Sequence, residues 1–141
     1  MIKISSLKKP RRDGKAEFTY LDEEAQEVLT REIPISFLKP TEALWDELTA
    51  METAAKAEGE QGDEAKKELY VRQLIKVEIQ SPEIVEDDGR PHSITADDLR
   101  SLDFVQVMQL HAGVMAHFFL RTPTPKQETN TNSSSEQAAA A

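Results

Sequence analysis

Residues Ser81–Phe119 read SPEIVEDDGRPHSITADDLRSLDFVQVMQLHAGVMAHFF. This stretch decides the fold because it holds, in order, a helix stop, a turn, a helix start and one long amphipathic helix. Ser81-Pro82 ends an upstream helix, and Glu86-Asp87-Asp88-Gly89-Arg90-Pro91 is a turn signal. Thr95-Ala96-Asp97-Asp98 has the spacing of a capping box, with Asp in place of the usual Glu. Asp103 is placed to break that helix and cap the next. From Phe104 onward, Val107, Met108, His111, Val114, Met115 and Phe118 share a face, which Val105, Ala112 and Phe119 widen. A stripe this broad predicts contact with two neighbours or with a partner. Gly113 costs about 1 kcal/mol relative to Ala inside such a helix, which implies a close crossing.

Upstream, Pro40-Thr41 opens a helix that runs to about Ala57. Thr41 is its cap, Glu42, Asp46 and Glu47 suit the positive end of the dipole, and Leu44, Leu48, Met51 and Ala55 form its stripe with Trp45 beside them. Glu58 to Asp63 carries two glycines among charges and reads as a turn. A second helix follows from Glu64, with Leu69, Tyr70, Val71, Leu74, Ile75 and Ile79 as its apolar positions. A short connection predicts that the two helices are antiparallel.

Towards the N-terminus, Ile33, Ile35 and Phe37 alternate at period two, the spacing of a one-faced strand. Phe18 and Tyr20 do the same over Ala16–Leu21. Asp13-Gly14 predicts a tight hairpin turn, and Ile2 and Ile4 predict a short strand over Met1–Leu7. Pro34 places its strand at a sheet edge, since proline cannot donate to a ladder. The expected fold is therefore α+β and predominantly helical, with a small N-terminal antiparallel β-sheet followed by three to four helices. A single domain covers 1–120, β-rich over 1–39 and helical over 40–120. Residues 121–141 form a tail of small and polar residues expected to be disordered.

The chain has 141 residues, a formal net charge of −9 and no cysteine. Without thiols there is no disulfide framework and no thiolate metal site. No apolar run reaches the ~18–20 residues of a membrane span, and no apolar segment follows the basic start as a secretory signal requires. Neither a membrane nor a secreted destination is expected. The charge is unevenly placed: residues 1–15 carry +5, whereas residues 16–120 carry −14. An acidic body repels phosphate, so nucleic acid is not an expected partner.

The sequence assembles no catalytic, cofactor or metal site. His111 and His117 are six apart and face different ways, unlike the i, i+4 pair of a helical metal motif. His111, on the apolar face, reads as a packed core imidazole and His92 as a solvated turn residue. Glu86–Gly89 lacks the alternating ligands and distal Glu of a calcium loop. The glycines are not spaced to cradle phosphate, and no nucleophile has a base in motif form beside it. Expectation falls on a non-catalytic protein that binds another polypeptide.

Methionine repacks readily against varied apolar partners, so Met51, Met108 and Met115 with Trp45 could form an adaptable surface. Each is also what a core would need, and that is the simpler reading. The excess width of the last helix assigns Phe118 and Phe119 to a surface. The residues put forward for protein binding are Val107, Met108, His111, Val114, Met115, Phe118 and Phe119.

The segments ISFLKPTEALWDELTAME (35–52) and SITADDLRSLDFVQVMQLHAGVMAHFF (93–119) resemble the tail assembly chaperones of long-tailed bacteriophages and prophages. Ile94, Thr95, Asp98, Leu99, Leu102, Asp103, Val107 and Phe118 match that family's ending, and the similarity spans Ile33–Phe119. The resemblance implies a mostly helical, non-catalytic protein of the bacterial host cytoplasm that is absent from the mature virion. It implies binding to the tape measure protein and recruitment of tail tube protein, with self-association among the options. Many such proteins also have a longer frameshifted product, and Pro123–Lys126 is where an extension could attach. The alternatives are a minor virion component, such as a connector or tail completion subunit, and an acidic inhibitor of a host enzyme.

Overall fold

Ile33 and Ile35 are 2% exposed and Phe37 is fully buried, so the period-two spacing does put one strand face into the core. A computed structural model describes residues 1–59 and 62–119. The elements are α1 (Ile4–Leu7), β1 (Arg11–Asp22), β2 (Glu27–Leu38), α2 (Glu42–Ala57), α3 (Asp63–Lys76), α4 (Ala96–Ser101) and α5 (Phe104–Phe118). The fold is α+β and predominantly helical, with β1 and β2 as an antiparallel N-terminal hairpin. Buried side chains from the hairpin and from α2, α3, α4 and α5 form one apolar cluster. No described helix is long and apolar enough to cross a membrane. The tail expected over 121–141, including Pro123–Lys126, lies outside the described residues.

Helix starts follow the sequence closely. The Thr41 side chain accepts from the Leu44 N–H at 3.1 Å. Thr95 and Asp98 form the reciprocal box, with the Thr95 N–H donating to Asp98 Oδ2 at 2.8 Å and the Asp98 N–H to Thr95 Oγ1 at 3.2 Å. Asp103 starts α5, where its N–H donates to Gln106 Oε1 at 2.9 Å. Each pair satisfies donors that a bare helix end leaves without partners.

Three expectations fail, each for a physical reason. Asp13 and Gly14 are not a turn: they lie inside β1, opposite Ser36 and Ile35. The turn falls at 23–26, where Asp22 Oδ1 accepts from the Glu24 and Ala25 N–H groups at 3.0 and 3.2 Å and Gln26 takes φ 55. Glycine is needed at 14 because there is no room for a side chain: a Cβ would stand 2.9 Å from the His117 ring. Met1–Leu7 forms no strand; Ile4–Leu7 is one exposed helical turn with no buried residue. Finally, α3 stops at Lys76 instead of reaching Ser81.

Beyond Lys76 the chain turns through Glu78 (φ 54) and lies extended along the outer edge of β2. Ser36 and Gln80 exchange N–H···O bonds of 2.8 and 2.9 Å, and the Leu38 N–H donates to Val77 O at 2.8 Å. Ile79 is thus buried in an extended segment. Pro34 shares this outward edge with Ser36 and Leu38, so its missing N–H costs the hairpin no bond. Ser81 Oγ donates to its carbonyl at 2.6 Å. Covering an otherwise open strand edge removes a site of unwanted pairing.

Helix α5 lies across β1, and Gly113 is the crossing point. A Cβ there would be 2.5 Å from Ala16 Cβ and 2.8 Å from the Lys15 carbonyl oxygen. Both neighbours belong to strand backbone or a short side chain, so neither can swing away. Gly113→Ala should therefore destabilise the fold by about 1–3 kcal/mol, as overpacking does. If helix propensity alone mattered, the same change would stabilise by up to about 1 kcal/mol. Urea unfolding of the two proteins gives the sign.

Candidate protein-binding surface

The apolar face of α5 is covered on two sides, by β1 and by α3. Val107 and Val114 are fully buried, Phe118 is 1% exposed and His111 is 8% exposed. These four of the residues put forward for binding are core and present no surface to a partner. Met108 and Met115 are half-buried, with Met115 packed against the core. Phe119 alone is freely exposed, at 49%. The stripe is wide because it serves two intramolecular neighbours.

Polar groups on α5 fix its position. Thr19 of β1 donates its N–H to Gln109 Oε1, its Oγ1 accepts from Gln109 Nε2, both at 2.8 Å, and its carbonyl accepts from Gln106 Nε2 at 2.9 Å. On the other side, Gln73 of α3 is buried and donates Nε2 to Leu48 O at 3.1 Å and to Glu52 Oε2 at 3.3 Å. Its Oε1 is thereby the acceptor facing His111 Nε2 at 2.8 Å, so the His111 proton sits on Nε2. The ring stacks on Tyr70 with centroids 3.6 Å apart and planes at 1°. Burial, reinforced by the Lys66 ammonium, lowers the His111 pKa to about 4. It is a neutral core histidine with its Nε2 paired, as its place on the apolar face implied.

His92 is not a solvated turn residue. Nε2 meets Asp98 Oδ2 at 2.6 Å and Nδ1 meets Glu86. Asp98, then Glu86, raise its pKa, and His92 in turn holds Asp98 low. The His92 ring fastens the 86–91 turn to the start of α4. Its two nitrogens point at different carboxylates, and among the described residues no group of three or more His, Asp or Glu converges as a metal site would.

The main exposed aromatic surface lies where α5 ends. Phe119 is extended (φ −108, ψ 144), so it leaves the face that Phe118 continues. Trp45 of α2, 39% exposed, stands beside both: centroids are 5.5 Å from Phe118 and 5.2 Å from Phe119. These rings, with Arg12, Pro40, Thr41 and Glu42, line an open hollow of about 540 Å³. Arg12 Nη1 donates to Phe118 O at 2.6 Å and His117 O at 3.4 Å, capping the negative end of α5. A hollow of about 420 Å³ between α2 and α3 is lined instead by Glu52, Lys56, Lys66 and small residues, with Leu69 and the stacked Tyr70. The aromatic hollow is the better receptor for an apolar side chain. The sequence names Trp45 as part of a possible adaptable surface, but only Phe119 of this pair is among the residues put forward for binding; the position of Trp45 just outside the buried stripe of α2 was the available signal.

Compared with known proteins, the chain matches no family model, no curated sequence and no solved structure.

Phe118 and Phe119 should separate cleanly on substitution. Phe118→Asp should cost at least about 3–5 kcal/mol and unfold the protein, whereas Phe119→Asp should stay within about 1 kcal/mol of wild type by denaturant unfolding.

His111 also sets a pH dependence. Its folded pKa of about 4 lies below the unfolded value of 6.5, so unfolded chain takes up a proton that the fold refuses. Its contribution is full above pH 6.5 and is lost as pH falls towards 4, up to about 3 kcal/mol in all. His92 acts oppositely, since its raised pKa confers stability at low pH that is lost as pH rises through the folded value. His111→Gln should flatten the stability–pH curve between about 4 and 6.5 relative to wild type. Parallel slopes would refute the assignment.

Proposed function

We propose that this protein is a non-catalytic tail assembly chaperone of a long-tailed phage or prophage. In the host cytoplasm it binds the tape measure protein, keeps that protein's long apolar helices soluble and helps recruit tail tube subunits. The observation that carries this reading is the Trp45–Phe119 hollow, an exposed aromatic receptor on an acidic chain. A client offering repeated apolar side chains needs such a receptor, and helix-in-groove contact is the mode that fits. The resemblance of Ile94–Phe118 to the family's ending supports it. Several of the matched residues do structural work, however: Thr95 and Asp98 cap α4, while Leu99, Val107 and Phe118 lie in the core. Client contact is therefore assigned to Trp45 and Phe119, each one residue beyond a buried position, Leu44 and Phe118.

Co-expression with the tape measure protein of the same gene cluster tests the assignment. Wild type should keep the client soluble and co-purify with it. Phe119→Asp and Trp45→Ala should each lower the recovered client by about tenfold, the loss of roughly 1.4 kcal/mol, with thermal unfolding followed alongside. Undiminished capture by both variants refutes the surface. Stoichiometric retention of the protein in purified particles would identify a minor virion component instead.

A further inference from the structure

The aromatic hollow does not stand alone at its end of the molecule. The Lys39 N–H donates to Pro10 O at 2.9 Å, and Lys39 Nζ reaches the Leu7 carbonyl. These bonds root the N-terminal arm beside Pro40 and Arg12, two residues that line the hollow. The arm exposes Ile4 at 63% and Leu7 at 53%. It also carries Lys3, Lys8 and Lys9, which have no ion-pair partner among the described residues. Glu42 is the one carboxylate among the described lining residues, and Arg11 next to the arm is already paired with Glu78. On a chain whose residues 16–120 carry −14, the greasiest end is thus the cationic one.

We infer that this end takes a client helix whose apolar anchor is flanked by carboxylates. The anchor seats against Trp45 and Phe119, and the acidic flanks lie along the lysines of the arm. This deepens the chaperone reading and rests on it for the statement that the partner is a protein. Charge disfavours a second copy as occupant, because a two-fold contact at this end would set the same lysines against one another. Shape disfavours a bilayer, because the aromatic floor is recessed and admits a protruding side chain.

The chain's single tryptophan is its own reporter at this site. Two helical peptides about 18 residues long would share one Leu/Phe stripe at i, i+3, i+4 and i+7, flanked by Glu in one and by Lys in the other. Titrated into the full chain near 150 mM NaCl (about physiological ionic strength), the Glu-flanked peptide should shift Trp45 emission. It should bind about tenfold tighter than its Lys-flanked twin, as a few exposed charge pairs allow. The preference should shrink towards unity at about 1 M salt and in Lys8→Glu/Lys9→Glu, whose side chains are exposed and form no ion pair among the described residues. Equal affinity for both peptides overturns the inference, as does a Trp45 response to anionic phosphatidylglycerol vesicles but to neither peptide. Dimerisation through the hollow at the assay concentration, lost in Phe119→Asp, also overturns it. Failure of the peptide preference alone, with client capture still dependent on Trp45 and Phe119, removes this inference and leaves the chaperone reading. The reverse result removes the chaperone reading and leaves an acidic-helix receptor.

Discussion

The structure depends on two missing side chains. Helix α5 lies so close to β1 that a Cβ on Gly113 would fall within 3 Å of Ala16 and of the Lys15 carbonyl, and one on Gly14 would fall within 3 Å of the His117 ring. Small residues on both partners let helix and strand approach closely, and the close approach buries the whole inner face of α5. Val107, Leu110 and Val114 then reach the floor of the core with no residual exposure. Dispersion contacts accumulate only at such distances, since a gap of even an ångström forfeits much of each one. The cost of two glycines in regular structure is thereby offset by the packing of a helix that the rest of the core surrounds.

Apolar packing is not directional, and polar groups supply the register. Thr19 offers a donor, an acceptor and a hydroxyl to Gln106 and Gln109, so α5 cannot slide along β1 without breaking three bonds. Gln73 does the same among the helices, holding Leu48 of α2 with its amide and His111 of α5 with its oxygen. Each bond is worth on the order of 1 kcal/mol net, but leaving any of these buried groups without a partner costs more. That asymmetry makes the arrangement specific as well as stable. His111 fits because it is held neutral: charged, it would be buried and beside the Lys66 ammonium.

What could be read from sequence divides along the same physical line. Local signals were legible: Thr41, Thr95 and Asp103 mark helix starts because a cap acts within four residues, and Ile33, Ile35 and Phe37 mark a strand face because alternation is local. Long-range contacts were not. Asp13-Gly14 looks like a turn because glycine permits positive φ, yet at 14 it is there to admit His117 from over a hundred residues away. Residues 77–81 continue a helical pattern, but the chain turns at Val77 and Glu78 and the open edge of β2 pairs with Gln80 beyond them. Ile2 and Ile4 alternate like a strand, yet among the described residues no strand pairs with them. Gly113 is the exception, because its poor helix propensity in an apolar stretch announced a close crossing without saying with what.

The candidate surface was the least legible part for a related reason. Periodicity states which residues share a face and says nothing about how many neighbours cover it. The over-wide stripe of α5 pointed equally to a partner and to a second internal contact, and α3 proved to be that contact. Phe118 and Phe119, adjacent in sequence, part company because the helix stops between them: one completes the core and the other turns outward beside Trp45. Charge then gives this apolar exit its character. The acidic helices and loops keep the rest of the surface hydrated and mutually repulsive, while the lysines of the arm leave one end where like charge does not exclude an acidic partner. An exposed aromatic pair would be an aggregation liability on a neutral protein. If this end binds as proposed, like charge on its lysines would oppose a two-fold contact between copies there and leave the surface to a chain of opposite sign.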